Sequence, residues 1–180
     1  MAVLILPGIN NSGPTHWQTR WEQAHPAFLR VSERDWAHPV CEDWVETLEE
    51  AVKAFGPDTI LVAHSLAVLQ VAHWAAQTRL NIQSAFLVAP PDPDRQEFPK
   101  LAVGFSPVPL KKLGFPSLLV ASSNDHYADR EFIERCARSW GSELVPIGPK
   151  GHINADSGLG DWPEGFALFQ SLMKKGSRNA

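Results

Sequence analysis

Six short apolar runs constrain this chain more than any other feature: Ala2–Leu6, Phe28–Val31, Thr59–Ala63, Ser84–Ala89, Ser117–Ser122 and Glu143–Ile147. Runs of this length, bounded by Gly, Pro and polar residues, read as strands. Helix-like stretches occupy most of the gaps. Thr15–Ala24 puts Trp17 and Trp21 on one face. In Glu42–Phe55 the residues Trp44, Val45, Leu48, Val52 and Phe55 recur at helical spacing before Gly56-Pro57 stops the helix. Leu66–Thr78, Asp129–Trp140 and Pro163–Met173 complete the set. Strands that alternate with helices imply a parallel sheet covered on both sides. The expected architecture is therefore α/β, a mostly parallel sheet of about six strands with helices on both faces. In such sheets ligands bind beyond the carboxyl ends of the strands.

The length of 180 residues fits one domain spanning 1–180. A net charge of -4 argues against a phosphate-backbone partner, so no nucleic acid is expected. The densest basic cluster, Lys174-Lys175 with Arg178, falls in a polar stretch, 174–180, that reads as a disordered tail. No apolar run approaches the roughly 18 residues of a membrane span, so no membrane partner is expected. Met1–Pro7 has no basic region of the kind that opens a signal peptide. Cys41 and Cys136 lie far apart without metal-ligand spacing and read as reduced thiols, so a cytoplasmic location is expected. One stretch breaks the rhythm: Pro90–Pro116 carries seven prolines and no periodicity. It reads either as a lid or pocket-wall loop over 90–116, or as a passive connection.

The chemistry concentrates at Ile60-Leu61-Val62-Ala63-His64-Ser65-Leu66-Ala67-Val68-Leu69, where a buried strand runs into a buried helix with one serine at the junction. A sharp turn in this setting lifts a hydroxyl clear of the sheet and makes it a candidate nucleophile. The positions two before and two after the serine must be small. They are Ala63 and Ala67 here, where glycines are usual. The plainer reading is that Ser65 caps the helix.

A nucleophilic serine needs a base and an acid, which in this arrangement follow it in the order acid, then histidine. Asp125 stands just past the Leu118–Ser122 stretch. Asp129 competes but suits the N-cap of the next helix. Asp125 could also be an ordinary turn residue. Of seven histidines only His152, on the glycine-rich loop after the last strand, meets the ordering rule. An oxyanion needs backbone N–H donors. Leu66, next to the serine, would supply one, and Ile9 or Asn10 in the loop Pro7–Gly13 the other. No HExxH, GxGxxG or phosphate-loop motif is present, so no metal or organic cofactor is expected.

Two further stretches carry a resemblance. Leu6-Pro7-Gly8 with Gly13-Pro14-Thr15-His16-Trp17-Gln18, and the segment Gly148–Gly165 (GPKGHINADSGLGDWPEG), resemble the small YdeN-type serine hydrolases, relatives of the retinoblastoma-binding protein nine hydrolases. With Ser65 and Asp125 the resemblance covers nearly the whole chain. It implies a compact α/β-hydrolase fold and a Ser65–Asp125–His152 triad, and it implies little about substrate. Neither cysteine sits in a Leu-x-Cys-x-Glu context, so no protein partner is carried over.

The expected function is a serine hydrolase that cleaves a small-molecule acyl substrate (an ester, thioester or amide) through an acyl-enzyme. The alternative is a low-turnover protein of the same fold that binds partners through Pro90–Pro116 and exposed tryptophans.

Overall fold

Alternate residues of each central strand enter two different apolar layers, which is why these runs read as unbroken hydrophobic stretches. In the computed structural model, which describes residues 2–176, β1 (Ala2–Leu6) sends Val3 and Ile5 into one layer and Leu4 and Leu6 into the other. β3 (Thr59–His64), β4 (Ser84–Val88) and β5 (Ser117–Ala121) divide in the same way, as Ile60 and Val62 against Leu61 and Ala63 illustrate. The edges are β2 (Phe28–Arg30) and β6 (Glu143–Pro146). All six strands pair in parallel in the order β2-β1-β3-β4-β5-β6. Helices α2 (Cys41–Phe55), α3 (Leu66–Ala75) and α4 (Arg130–Trp140) cover one face. Helices α1 (Trp17–Ala24) and α5 (Pro163–Gly176) cover the other.

The strand order contains a switch. After β1 the chain moves outward to β2, then crosses back to place β3 on the other side of β1. The loops leaving β1 and β3 therefore diverge and open a crevice at the carboxyl end of the sheet. Gln18 of α1 locks this point. Its side-chain amide, wholly buried, donates to the carbonyls of Leu6 (3.0 Å) and Val62 (3.1 Å), and its Oε1 accepts from the Ser12 hydroxyl at 2.7 Å.

Element boundaries differ from the sequence reading where a cap intervenes. Helix α1 begins at Trp17, not Thr15, because His16 is its N-cap: Nδ1 accepts the Gln18 N–H at 3.2 Å. Helix α5 runs on through Lys174 and Lys175 to Gly176, and Lys175 pairs with Glu143 at 2.6 Å, so the expected disordered tail does not begin at 174. The rest of that tail, 177–180, lies outside the described residues.

The proline-rich segment 90–116 is irregular and pinned. Val103 exchanges backbone hydrogen bonds with Pro39 and Cys41, each 2.9 Å, and Phe105 is buried. The Trp140 indole donates to the Pro109 carbonyl at 2.9 Å. The tryptophans are not exposed as the binding-protein reading requires. Trp17, Trp21, Trp44, Trp74, Trp140 and Trp162 are buried and Trp36 is half-buried. Cys41 and Cys136 are free and buried, and burial pushes both thiols up to about 12. Among the described residues no helix is long and apolar enough to cross a membrane.

Candidate active site

The turn from β3 into α3 holds Ser65 at φ 57° and ψ -126°, a conformation that costs a non-glycine residue free energy and is kept only where the surroundings enforce it. The enforcement is visible. The Ser65 N–H donates to the Val88 carbonyl of β4 at 2.9 Å, and Ala63 and Ala67 are fully buried on either side. Gly8, in the loop after β1, presses against the turn so closely that a β-carbon there would lie 2.9 Å from Ser65 Cβ. The Ser65 side chain caps nothing in α3. It is free to point elsewhere.

It points to His152. The Ser65 hydroxyl donates to His152 Nε2 at 2.7 Å, and His152 Nδ1–H donates to Asp125 Oδ2 at 2.8 Å. The histidine and aspartate side chains are only 7% and 5% exposed. Asp125 and His152 meet because the loops after β5 and β6 are laced together. Lys150 N–H donates to Ser122 Oγ (2.9 Å), Gly151 N–H to Asn124 Oδ1 (2.8 Å) and Ser123 N–H to the Gly148 carbonyl (3.0 Å). Asp125 also accepts the Tyr127 N–H on Oδ1 at 2.9 Å, which closes an Asx-type turn.

Two buried donors fix the histidine's own backbone. His64 Nε2–H donates to the His152 carbonyl at 3.0 Å, and the Trp17 indole donates to the next carbonyl, Ile153, at 2.8 Å. Ile153 itself sits at φ 52°. Burial holds His64 well below the ordinary imidazole range, so it is neutral and donates from one nitrogen. The segment beyond is anchored as well. The Trp21 indole donates to the Asp161 carbonyl at 2.8 Å, and Trp162 lies against Gly165, where any β-carbon would overlap its ring. The two stretches that carry the family resemblance are thus in contact across the fold. Sequence reasoning set His64 aside as a base and did not find its role, nor that of Gln18. The only sequence signal for either was the motif around them.

The oxyanion donors divide. Leu66 is the first residue of α3, so its N–H has no acceptor within the helix. The Ile9 N–H has none among the described residues and belongs to the loop that Gly8 brings against Ser65. Asn10 is a correction: its N–H donates to the Trp36 carbonyl at 2.8 Å and is turned to the β2–α2 loop instead.

A pocket of about 200 Å³ opens at Ser65, with Gly8, Ile9, His16, Tyr127 and His152 among its walls. No residue of 90–116 is among those lining it, and the segment reaches it through Asp92, whose N–H donates to the carbonyl of Tyr127 at 2.9 Å. A larger groove of about 820 Å³ between α2 and α3 contains none of Ser65, Asp125 or His152. Among the described residues no cluster of three or more His, Cys, Asp or Glu is placed to hold a metal ion. The arrangement suits a hydroxyl made nucleophilic by a neighbouring imidazole, beside free backbone N–H groups.

A sequence profile described as serine hydrolase matches residues 3–171. Among solved structures, a protein described as a YdeN-like hydrolase from Pectobacterium atrosepticum is 30% identical. The match covers 97% of this chain and 91% of that one, with a TM-score of 0.86. The YdeN product of Bacillus subtilis is 20% identical over 96% of this chain and 98% of that one, TM-score 0.73. The carboxylesterase CesB of Bacillus subtilis is 12% identical over 95% and 82%, TM-score 0.64. At these last two identities the likeness is one of fold. No curated protein matches the sequence.

Proposed function

The chain belongs to the serine hydrolase family, with an α/β-hydrolase fold, and from that premise we propose that it cleaves small esters through a Ser65–His152–Asp125 triad. The observation that carries this reading is the unbroken relay Ser65 Oγ–His152 Nε2 (2.7 Å) and His152 Nδ1–Asp125 Oδ2 (2.8 Å) at a strained strand-to-helix turn.

Ser65 Oγ attacks the substrate carbonyl while its proton passes to His152 Nε2. Asp125 keeps the proton on Nδ1 before the attack and stabilises the imidazolium after it. The carbonyl oxygen, now negative, lies against the N–H groups of Leu66 and Ile9. Collapse breaks the bond to the leaving group, which takes the proton from His152 and departs, leaving Ser65 acylated. Water then repeats the sequence: His152 takes its proton, the hydroxide adds to the acyl carbon, and Ser65 leaves with the proton returned. His64 and Trp17, which hold the 152 and 153 carbonyls, keep the imidazole from drifting between the two half-reactions.

The binding-protein alternative is not favoured, since the tryptophans it relied on are buried or half-buried. Pre-steady-state hydrolysis of p-nitrophenyl acetate tests the enzyme reading. A burst of nitrophenolate that approaches one equivalent and vanishes in Ser65→Ala is expected; hydrolysis that survives Ser65→Ala undiminished contradicts it.

A further inference from the structure

His16 lies outside the triad and the oxyanion donors, yet it is one of the walls of the Ser65 pocket. It is 5% exposed, and its two ring nitrogens have different fates. Nδ1 accepts the Gln18 N–H at 3.2 Å, which places the proton on Nε2. Nε2–H is buried and has no acceptor among the described residues. Buried donors without partners are rare in folded proteins and call for an explanation. Among the described residues, His16 Nε2 is the only such side-chain atom that belongs to a residue of this pocket. Burial and the nearby Arg30 charge hold the imidazole down at about 4, so it stays a neutral donor at the pH where a serine hydrolase works.

Position narrows what the donor meets. The His16 ring stands 4.8 Å from that of His64, and His64 in turn 5.1 Å from that of His152. The leaving group takes its proton from His152 and so departs on that side. His16, at the end of the loop after β1, shares the pocket with Ser65, to which the acyl group stays bonded when the leaving group has gone. We propose that His16 is a substrate-binding residue whose Nε2–H donates to an oxygen on the acyl group, so that the preferred substrates are small esters with a hydrogen-bond acceptor in the acyl chain. This rests on the hydrolase reading above and adds the substrate class to it.

The test uses two p-nitrophenyl esters of nearly equal size, the butyrate and the methoxyacetate, in which an ether oxygen replaces one methylene. The full chain is compared with His16→Asn and His16→Phe. Asparagine keeps the N-cap that His16 supplies to α1 but is too short to reach the pocket. Phenylalanine keeps the ring and loses both functions. The ratio of kcat/KM for methoxyacetate over butyrate is read in each protein, so that the esters' intrinsic reactivities cancel between proteins. The ratio is expected to fall about three- to tenfold in both variants, as for loss of one neutral hydrogen bond. If both esters slow by the same factor, His16 is a structural cap and the proposal is overturned. If neither ester slows in either variant, the proposal is overturned too while the hydrolase reading stays intact. If the parent chain hydrolyses neither ester, both readings fall together.

Discussion

Asp125 and Asp129 stand at either end of one short turn and serve opposite ends. Asp125 Oδ2 takes the Nδ1–H of His152 at 2.8 Å, whereas Asp129 Oδ1 takes the N–H of Phe132 at 2.8 Å and caps α4. Asp129 Oδ2 also lies 3.6 Å from the Arg95 guanidinium. The same residue type within one turn thus holds a histidine in one place and starts a helix in the other.

Replacing each separates the roles. Asp125→Asn keeps an oxygen for the Tyr127 N–H but favours the wrong histidine tautomer, so kcat is expected to fall on the order of 10⁴-fold with the fold intact. Asp129→Ala is expected to keep its activity and lose about 0.5–2 kcal/mol of stability. Measuring kcat and melting temperature for both variants checks the assignment; an inactive Asp129→Ala beside an active Asp125→Asn reverses it.

Gly8 is held to glycine by closeness. A methyl group there meets Ser65 Cβ at 2.9 Å and the His64 carbonyl at 3.2 Å, both on the turn from β3 into α3. Gly8→Ala should therefore displace Ser65 or the Ile9 donor and lower kcat by roughly 10²-fold, because misplacement of about 1 Å costs that much. Steady-state kinetics with p-nitrophenyl acetate decide it, and unchanged kcat would show that the turn yields.

Glu33 gives the stability a pH dependence of its own. It is buried beside α3, its Oε1 accepts from Gln70 Nε2 at 2.8 Å, and both Glu33 Oε2 and Gln70 Oε1 lack a partner. A proton on Glu33 removes a buried charge, and burial raises its pKa from 4.5 to about 7. The folded-state value lies above the unfolded one, so the stabilisation is complete below pH 4.5 and is lost as pH rises through about 7. His16 acts in the opposite sense: its value falls from 6.5 to about 4, so its contribution is present above 6.5 and lost as pH falls. Glu33→Gln, which mimics the protonated form, should be more stable than the parent by on the order of 2–3 kcal/mol at about pH 8. The gain should disappear near pH 4.5, the ordinary carboxyl value. Thermal melts across this range test it, and a gain that does not vary with pH refutes it.

The pocket at Ser65, about 200 Å³, is smaller than the roughly 300–1,000 Å³ of drug-sized sites. Across a series of p-nitrophenyl esters, kcat/KM should peak at short acyl chains and decline beyond them. A steady rise toward long chains would show that the substrate extends over a surface other than this pocket.

Much of this was legible in the sequence because it is local. The β3–α3 junction announces itself through an apolar strand, one serine and two alanines, and the order Ser65, Asp125, His152 follows the strand ends. What stayed hidden depends on contacts between distant segments. Asn10 and Ile9 are neighbours in one loop, and only the Trp36 carbonyl decides which N–H is spent. Gln18 stands in the sequence only as part of a motif, and its role appears when β1 and β3 bring the carbonyls of Leu6 and Val62 to its side-chain amide. His64 looks like a misplaced base until the His152 carbonyl arrives above it. The segment 90–116 has no periodicity to reveal that its backbone is tied to Cys41 of α2 and to Tyr127, and that it accepts the Trp140 indole of α4.

Labelling with a fluorophosphonate, followed by peptide mass spectrometry, tests the assignment of Ser65 most directly, because only an activated hydroxyl attacks phosphorus readily. The expected result is one adduct per chain on Ser65, absent in Ser65→Ala and strongly slowed in Asp125→Asn. A folded protein that takes up no probe, or takes it up at another serine, would contradict the relay from Ser65 through His152 to Asp125 as the source of activity.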